Sequence, residues 1–269
     1  MPETKEQEAA RRGELTVAIL GLGEAGSCFA SELLGAGADV VGWDPQPKEH
    51  PKGLRFARSN SDAAKNADVI FSVNLASVAR EVAEEVAPVL RPGQIYAELN
   101  TGSPQLKVDC AEAIEPSGAL FVDVAIMAPV PPKGVRTPMM VSGPGAHGFH
   151  ERLAPFGTDI AVIEGDPGRA ATLKLLRSIA YKGIAAVVIE CLEAARKLDL
   201  EEYARGQLAT LVEAQMIDRF EEGSRKHARR RVHEMEAVEE LLASLGVEPL
   251  SSHAALLRLR ELTREPRPA

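Results

Sequence analysis

One turn and one helical face of this chain have residue types and spacing suited to chemistry. The turn is Gly21-Leu22-Gly23-Glu24-Ala25-Gly26, a G-x-G-x-x-G sequence. Gly21 permits a tight turn, Gly23 lets the backbone approach a pyrophosphate, and Gly26 lets a helix pack closely on a strand. A helix opening there offers free N–H groups and a positive dipole end to phosphates. Asp44 follows 18 residues past Gly26. A carboxylate in that place accepts hydrogen bonds from ribose hydroxyls and repels a 2′-phosphate, which favours NAD over NADP. The plainer reading is a packing turn followed by an ordinary loop aspartate. The helical face carries Lys174, Ser178 and Tyr181, spaced i, i+4 and i+7 and therefore on one side of a helix. Lys182 lies about 100° further round from Tyr181. A lysine titrates near ~10.4 in water, and burial would bring it toward neutrality. Taken alone, Lys174 reads better as a lysine snorkelling from a half-buried helix.

These residues need elements to hold them. Leu15-Thr16-Val17-Ala18-Ile19-Leu20 is a near-continuous apolar run, suited to a strand buried on both faces of a parallel sheet. A helix to about Leu34 is stopped by Gly35 and Gly37, and Asp39–Trp43 is the next strand, which makes a βαβ unit. The alternation continues through strands near 68–73, 94–99 and 119–124, helices near 77–86 and 104–114, and weaker strand patterns at 139–142 and 160–163. This predicts an α/β fold with an N-terminal Rossmann-type doubly wound sheet. Gly165-Asp166-Pro167-Gly168 breaks the pattern; Asp166 can cap a following helix and Pro167 can occupy its first position. Helix formers then run to about Thr263. The expected organisation is a polar tail over 1–13, a dinucleotide-binding domain over 14–164 and an all-helical domain for substrate and dimerisation over 165–269.

Composition excludes several classes. The 269 residues carry 31 Lys and Arg against 39 Asp and Glu, a formal charge of −8 that repels a polyanion. With aromatics at 4%, few rings are left for base stacking, so nucleic acid is not an expected partner. No apolar run approaches the roughly 20 residues needed to span a bilayer, and no secretory h-region opens the chain, so no membrane role is expected and the cytoplasm is the default compartment. Cys28, Cys110 and Cys191 are odd in number and widely spaced, against a disulfide framework or zinc cluster; Cys28 and Cys191 read as small core residues. His147 and His150 could share a helix face, but with no third ligand nearby they read as surface histidines and no metal is expected. Trp43 suits either packing under an adenosine or the core. The basic stretch Arg225–His233 reads as a solvated face, as a site for an anionic substrate or dimer contact, or as a nucleic-acid patch.

The G-L-G-x-x-G turn with its helix Ser27–Leu34 and Gly37, together with Lys174 six residues after Gly168, resembles the β-hydroxyacid dehydrogenases. That superfamily includes 3-hydroxyisobutyrate and 6-phosphogluconate dehydrogenases and tartronate semialdehyde reductase, with imine reductases as relatives. The most similar subfamily is the dehydrogenases with a C-terminal domain of undefined function. The resemblance implies reversible hydride transfer between a nicotinamide and a small hydroxy acid or its carbonyl form, with NAD as cofactor and Lys174 as acid/base. Ser178 stands where asparagine is usual, and Tyr181 where the phosphogluconate branch carries a glutamate acid. By the same resemblance Val73-Asn74-Leu75 and Thr101, in the loop Asn100–Pro104, line the cofactor, and His233 falls near a cofactor-contacting lysine. The substrate loop matches Asp123 to Pro129, with Asp123, Ile126, Met127 and Ala128 as contacts; Met127 and Ala128 replace the usual Ser-Gly. Two other readings remain, an imine reductase and a non-catalytic dinucleotide-binding sensor. The helix after Arg169 carries apolar residues on most sides, which together with the resemblance implies a homodimer.

Overall fold

The computed structural model describes residues 15–46 and 51–264. The expected tail over 1–13 lies outside the described residues. The chain divides into two compact units, one ending at Ala171 and the other beginning at Thr172.

The first unit is a doubly wound sheet. Its strands are β1 (Thr16–Leu20), β2 (Asp39–Trp43), β3 (Arg55–Phe56), β4 (Val69–Ser72), β5 (Ile95–Glu98), β6 (Leu120–Ile126), β7 (Met139–Ser142) and β8 (Ile160–Val162). They lie in the order β3-β2-β1-β4-β5-β6-β7-β8. Every pairing is parallel except β6 with β7. The helices are α1 (Glu24–Gly35), α2 (Asn60–Ala64), α3 (Ala79–Val86), α4 (Pro104–Ile114) and α5 (Ala146–Leu153). The period-2 alternation of the strands sorts their side chains into two cores. Val17, Ile19, Val69, Phe71, Ile95 and Ala97 face Phe29 and Leu33 of α1 and Phe149 of α5. Ala18, Leu20, Ile70 and Tyr96 face Val82 and Val86 of α3 and Cys110 and Ile114 of α4. Both faces are covered, which is why β1 reads as a continuous apolar run. The two-residue edge strand β3 has no such run and leaves no sequence signal; both its residues are exposed.

Strand order reverses between β1 and β4, and the carboxyl ends of those strands define the crevice where open α/β sheets hold ligands. Gly21 follows β1 and Val73 follows β4; a Cβ on Gly21 would lie 2.8 Å from the Val73 carbonyl oxygen. The two loops therefore meet at the switch point, and only a glycine with φ of +105° fits there.

Helix α6 (Arg169–Lys197) begins in the first unit. Its opening corrects two expectations. Asp166 does not cap it through its side chain. The N–H groups of Gly168 and Ala171 donate to Asp123 Oδ2 at 3.1 and 2.9 Å, and the Ala170 N–H donates to Ser142 Oγ at 3.0 Å. Asp123, expected to touch substrate, is fully buried, and its carboxylate holds the positive end of a helix.

The second unit is helical throughout: the rest of α6, then α7 (Glu201–Leu208), α8 (Ala214–Lys226), α9 (Ala228–Ser244) and α10 (Leu250–Leu262). One side of α6 joins α9 and α10 through Leu175, Ile189, Met235, Val238 and Leu256. Another side joins α7 and α8 through Ala185, Val188, Leu192, Leu208 and Phe220. A third side is uncovered in the single chain, where Leu176, Ile184 and Val187 are 48%, 43% and 67% exposed. Cys191 is exposed as well, so it is not the core residue its helical pattern predicted; Cys28 is half-buried against the α1 core.

Candidate functional site

In the first unit the glycine turn has the geometry its spacing predicts. The Gly21 N–H donates to the Trp43 carbonyl at 2.8 Å, tying the turn to the end of β2. A Cβ on Gly26 would fall 1.9 Å from the Gly21 carbonyl oxygen, so this contact between helix and turn requires glycine. A Cβ on Gly23 would meet nothing within 4 Å, which leaves open space above the first N–H groups of α1. Glu24 and Ala25 form the first residues of that helix. Asp44 sits beneath: its Oδ2 accepts from the Leu22 N–H at 2.8 Å and its Oδ1 from the Gln46 N–H at 2.8 Å. Each oxygen keeps lone-pair capacity for a further donor. Trp43 packs against Phe56, ring centres 5.7 Å apart. These residues fit a dinucleotide: an open approach at Gly23, a helix N-terminus and an anchored carboxylate.

The loops after β4 and β5 are joined through a buried polar network that the sequence reading missed. Asn100 donates from its side chain to Asn74 Oδ1 at 3.0 Å, and its backbone N–H donates to Glu98 Oε1 at 3.0 Å. Glu98 closes β5 with no exposure, and Lys107 of α4 is 1% exposed. The Lys107 ammonium pairs with the Glu98 carboxylate, donates to the Glu98 carbonyl at 2.9 Å, and lies 3.4 Å from Asp123 Oδ1. Burial pushes the Glu98 carboxyl above its ordinary value, and Lys107 counters that push. Burial alone would lower Lys107, but the two carboxylates outweigh it and raise it. The available signal was a charged residue at a buried position in each element: Glu98 at the end of an apolar strand and Lys107 on the inner face of α4. Of the other residues expected here, Val73 packs against Gly26, Leu75 is 68% exposed, and Thr101 is half-buried. Ile126, Met127 and Ala128 are half-buried, and the Met127 N–H is engaged by the Pro138 carbonyl at 2.8 Å.

In the second unit Lys174, Ser178 and Tyr181 line one side of α6, and the residue that organises them is Glu234 of α9. Ser178 is 2% exposed and donates to Glu234. The Lys182 ammonium donates to Glu234 Oε1 at 2.5 Å and to Ser178 Oγ at 3.1 Å. Burial raises the Glu234 carboxyl, but Lys182, Lys174 and the Ser178 hydroxyl together hold it down at about 2. Burial pushes Lys182 down despite that partner. Lys182 does not point away from Tyr181: its flexible stem brings Nζ to 5.3 Å from the ring centre. His233 is exposed, with Nδ1 3.1 Å from Glu236. Among the described residues no group of three His, Cys, Asp or Glu is placed to hold a metal ion, and no helix is long and apolar enough to cross a membrane.

A doubly wound sheet with a glycine turn and an acidic residue at its switch point defines a nucleotide-binding class of protein. Residues 16–156 match the NAD binding domain of 6-phosphogluconate dehydrogenase, and the chain belongs to that family. Residues 195–262 match a domain of unknown function, DUF1932. An uncharacterised 28.5 kDa protein of Methanothermus fervidus is 28% identical over 249 residues, 88% of this chain and 94% of its own. A conserved hypothetical protein of Sinorhizobium meliloti has a TM-score of 0.76 at 28% identity, covering 91% of this chain and 87% of that one. The fold is shared with Mycobacterium tuberculosis 3-hydroxyisobutyrate dehydrogenase, with a TM-score of 0.78 at 20% identity, covering 94% and 95%. It is shared more loosely with an imine reductase of a Pseudomonas species, with a TM-score of 0.63 at 21% identity, covering 93% of each.

Proposed function

We propose that the protein is an NAD-dependent oxidoreductase of the β-hydroxyacid dehydrogenase type, acting on a small hydroxy acid or its carbonyl form. The observation that carries this reading is Asp44, anchored by the Leu22 N–H directly under the glycine turn. Gly21, Leu22, Gly23, Glu24, Ala25 and Gly26 would hold the pyrophosphate, and Asp44 the adenosine ribose. Its negative charge supports NAD over NADP. Val73, Asn74, Leu75 and Thr101 would border the nicotinamide end; His233 is assigned to the cofactor by resemblance alone. The nicotinamide, when bound, accepts or returns hydride. Lys174 Nζ would take the hydroxyl proton during oxidation and return it to the carbonyl oxygen during reduction. Glu234 keeps a negative charge beside Lys174, Ser178 and Lys182 and so holds that face of α6 in one arrangement. Ser178, already committed to Glu234, would act by positioning, while Tyr181 would face the reacting group.

The exposed side of α6 supports a homodimer. Leu176, Ile184 and Val187 lie on one stripe with the exposed Cys191, and such a face is buried in a second copy at little cost in specificity. Imine reduction is the second reading, favoured by a tyrosine at position 181. A panel of hydroxy acids, their keto forms and cyclic imines, followed through reduced-nicotinamide absorbance, separates the two. Turnover of imines alone replaces the first reading with the second. Tight NADH binding with no turnover of any of them would point to a dinucleotide sensor.

A further inference from the structure

Arg231 is the one buried arginine among the described residues, at 8% exposure. Other arginines of its own unit are matched to two or more carboxylates. Arg196 pairs with Glu201 and Glu221, Arg205 with Glu201, Asp218 and Glu221, and Arg258 with Glu190, Glu193 and Glu261. Arg231 makes no direct ion pair among the described residues, and Glu234 favours its charge only from further away. Its Nη1 donates to Ser224 Oγ at 2.6 Å, and its guanidinium lies 5.3 Å from the Tyr181 ring centre and is hydrogen-bonded with that phenol. Arg177, also without a carboxylate, lies 5.7 Å from the same ring centre, and Lys182 lies 5.3 Å from it. Three cations thus surround one half-buried tyrosine, and the adjacent carboxylate, Glu234, is taken by Lys182 and Ser178. Gly223 lets the guanidinium pack closely against α8, since a Cβ there would lie 3.1 Å from Nη2.

A buried cation normally comes with a counter-charge, because the desolvation it suffers is otherwise uncompensated. Arginine presents five N–H donors in a planar fork that matches two oxygens of a carboxylate or phosphate. Two acceptors, Ser224 and Tyr181, leave most of that fork available. We propose that Arg231 and Arg177, both beside the Tyr181 ring, form an oxyanion site that holds the carboxylate or phosphate group of the substrate. The assignment of the ligand as substrate rests on the oxidoreductase reading; the anion site itself does not. The stretch Ile126-Met127-Ala128, by contrast, carries no charged or hydroxyl side chain that could share the task.

The test uses the full-length protein at constant ionic strength, with malonate and inorganic phosphate as separate probes and chloride as the reference. Calorimetry and thermal melting are read for the native chain, Arg231→Met and Arg177→Gln, and NADH is titrated in the same samples. The native protein should bind malonate or phosphate saturably, and the stronger of the two says whether the group is a carboxylate or a phosphate. Arg231→Met should weaken that binding by about tenfold or more, the scale of a lost charge-assisted hydrogen bond, and Arg177→Gln should weaken it by less. Without anion, Arg231→Met should melt no lower than the native chain, because an uncompensated buried charge is gone; a purely structural arginine would lower the melting point. Absence of saturable binding of either anion by the native chain, or equal affinity in Arg231→Met, overturns the proposal. If Arg231→Met fails to fold, Arg177→Gln decides: unchanged affinity there overturns it. Failure of NADH to bind overturns the oxidoreductase reading and leaves the anion result standing on its own.

Discussion

Replacing Lys107 with methionine removes the ammonium that lies between two buried carboxylates. Glu98 and Asp123 have no exposure, and Lys107 is 1% exposed. Asp123 keeps the N–H groups of Gly168 and Ala171 after the change. Glu98 keeps the backbone and side-chain N–H donors of Asn100. Removing one partner of a buried pair costs about 3–5 kcal/mol, a large part of the roughly 5–15 kcal/mol that holds a domain folded. The variant limits the loss by protonating Glu98, whose carboxyl burial already pushes upward. The native state then holds a proton that the unfolded chain has released above its own pKa of about 4.3. Stability of the variant therefore falls as pH rises, by up to ~1.4 kcal/mol per pH unit, until Glu98 ionises in the folded state. In the native protein Lys107 is raised, so its contribution is fully present below the ordinary lysine pKa and is lost only as pH rises through the higher folded value. Urea melts of both proteins at pH 5 and pH 8 measure the difference. The gap should be smaller at pH 5, and Glu98→Gln added to Lys107→Met should recover part of it at pH 8. A gap under about 1 kcal/mol at pH 8, or one independent of pH, would refute the assignment of Lys107 as the compensating charge.

Lys174→Met should leave NADH binding near native while lowering kcat/KM by about 10²–10⁴, the scale of a general acid/base; native turnover would remove Lys174 from the chemistry. If the proposed dimer forms through this face, the native chain should sediment as a dimer at micromolar protein and Val187→Glu, a charge at a position 67% exposed in the single chain, as a monomer of intact helical content; a monomeric native chain would remove the dimer, and a dimeric variant would place its contact elsewhere. Asn74→Ala cuts the hydrogen bond from Asn100 and should weaken NADH binding by roughly fivefold, about one hydrogen bond of modest strength; equal affinity would separate this loop from the cofactor.

The sheet was legible because its strands carry period-2 and continuous apolar patterns bounded by glycine turns. The weak patterns at 139–142 and 160–163 became β7 and β8, while β3, two exposed residues, carried no pattern at all. Gly21, Gly26 and Asp44 were legible because each answers a steric or hydrogen-bonding need fixed by local chain geometry. Asp123 was misread because its partners, at the start of α6, lie 45 and 48 residues away and leave no local mark. Glu234 was hidden for the same reason, and Arg231 was one of several cations in a stretch open to three readings. They sit in a run of charges on α9 that reads as a solvated face, and only the packing of α6 against α8 and α9 turns them inward.

The central claim, an NAD-dependent enzyme built on the glycine turn and Asp44, is tested most directly by titrating the protein with NADH and NADPH, native and Asp44→Ser. The account predicts saturable binding with NADH the tighter ligand, and a preference narrowed or reversed in Asp44→Ser. No saturable binding of either dinucleotide, or a native protein that holds NADPH as tightly as NADH, would contradict it.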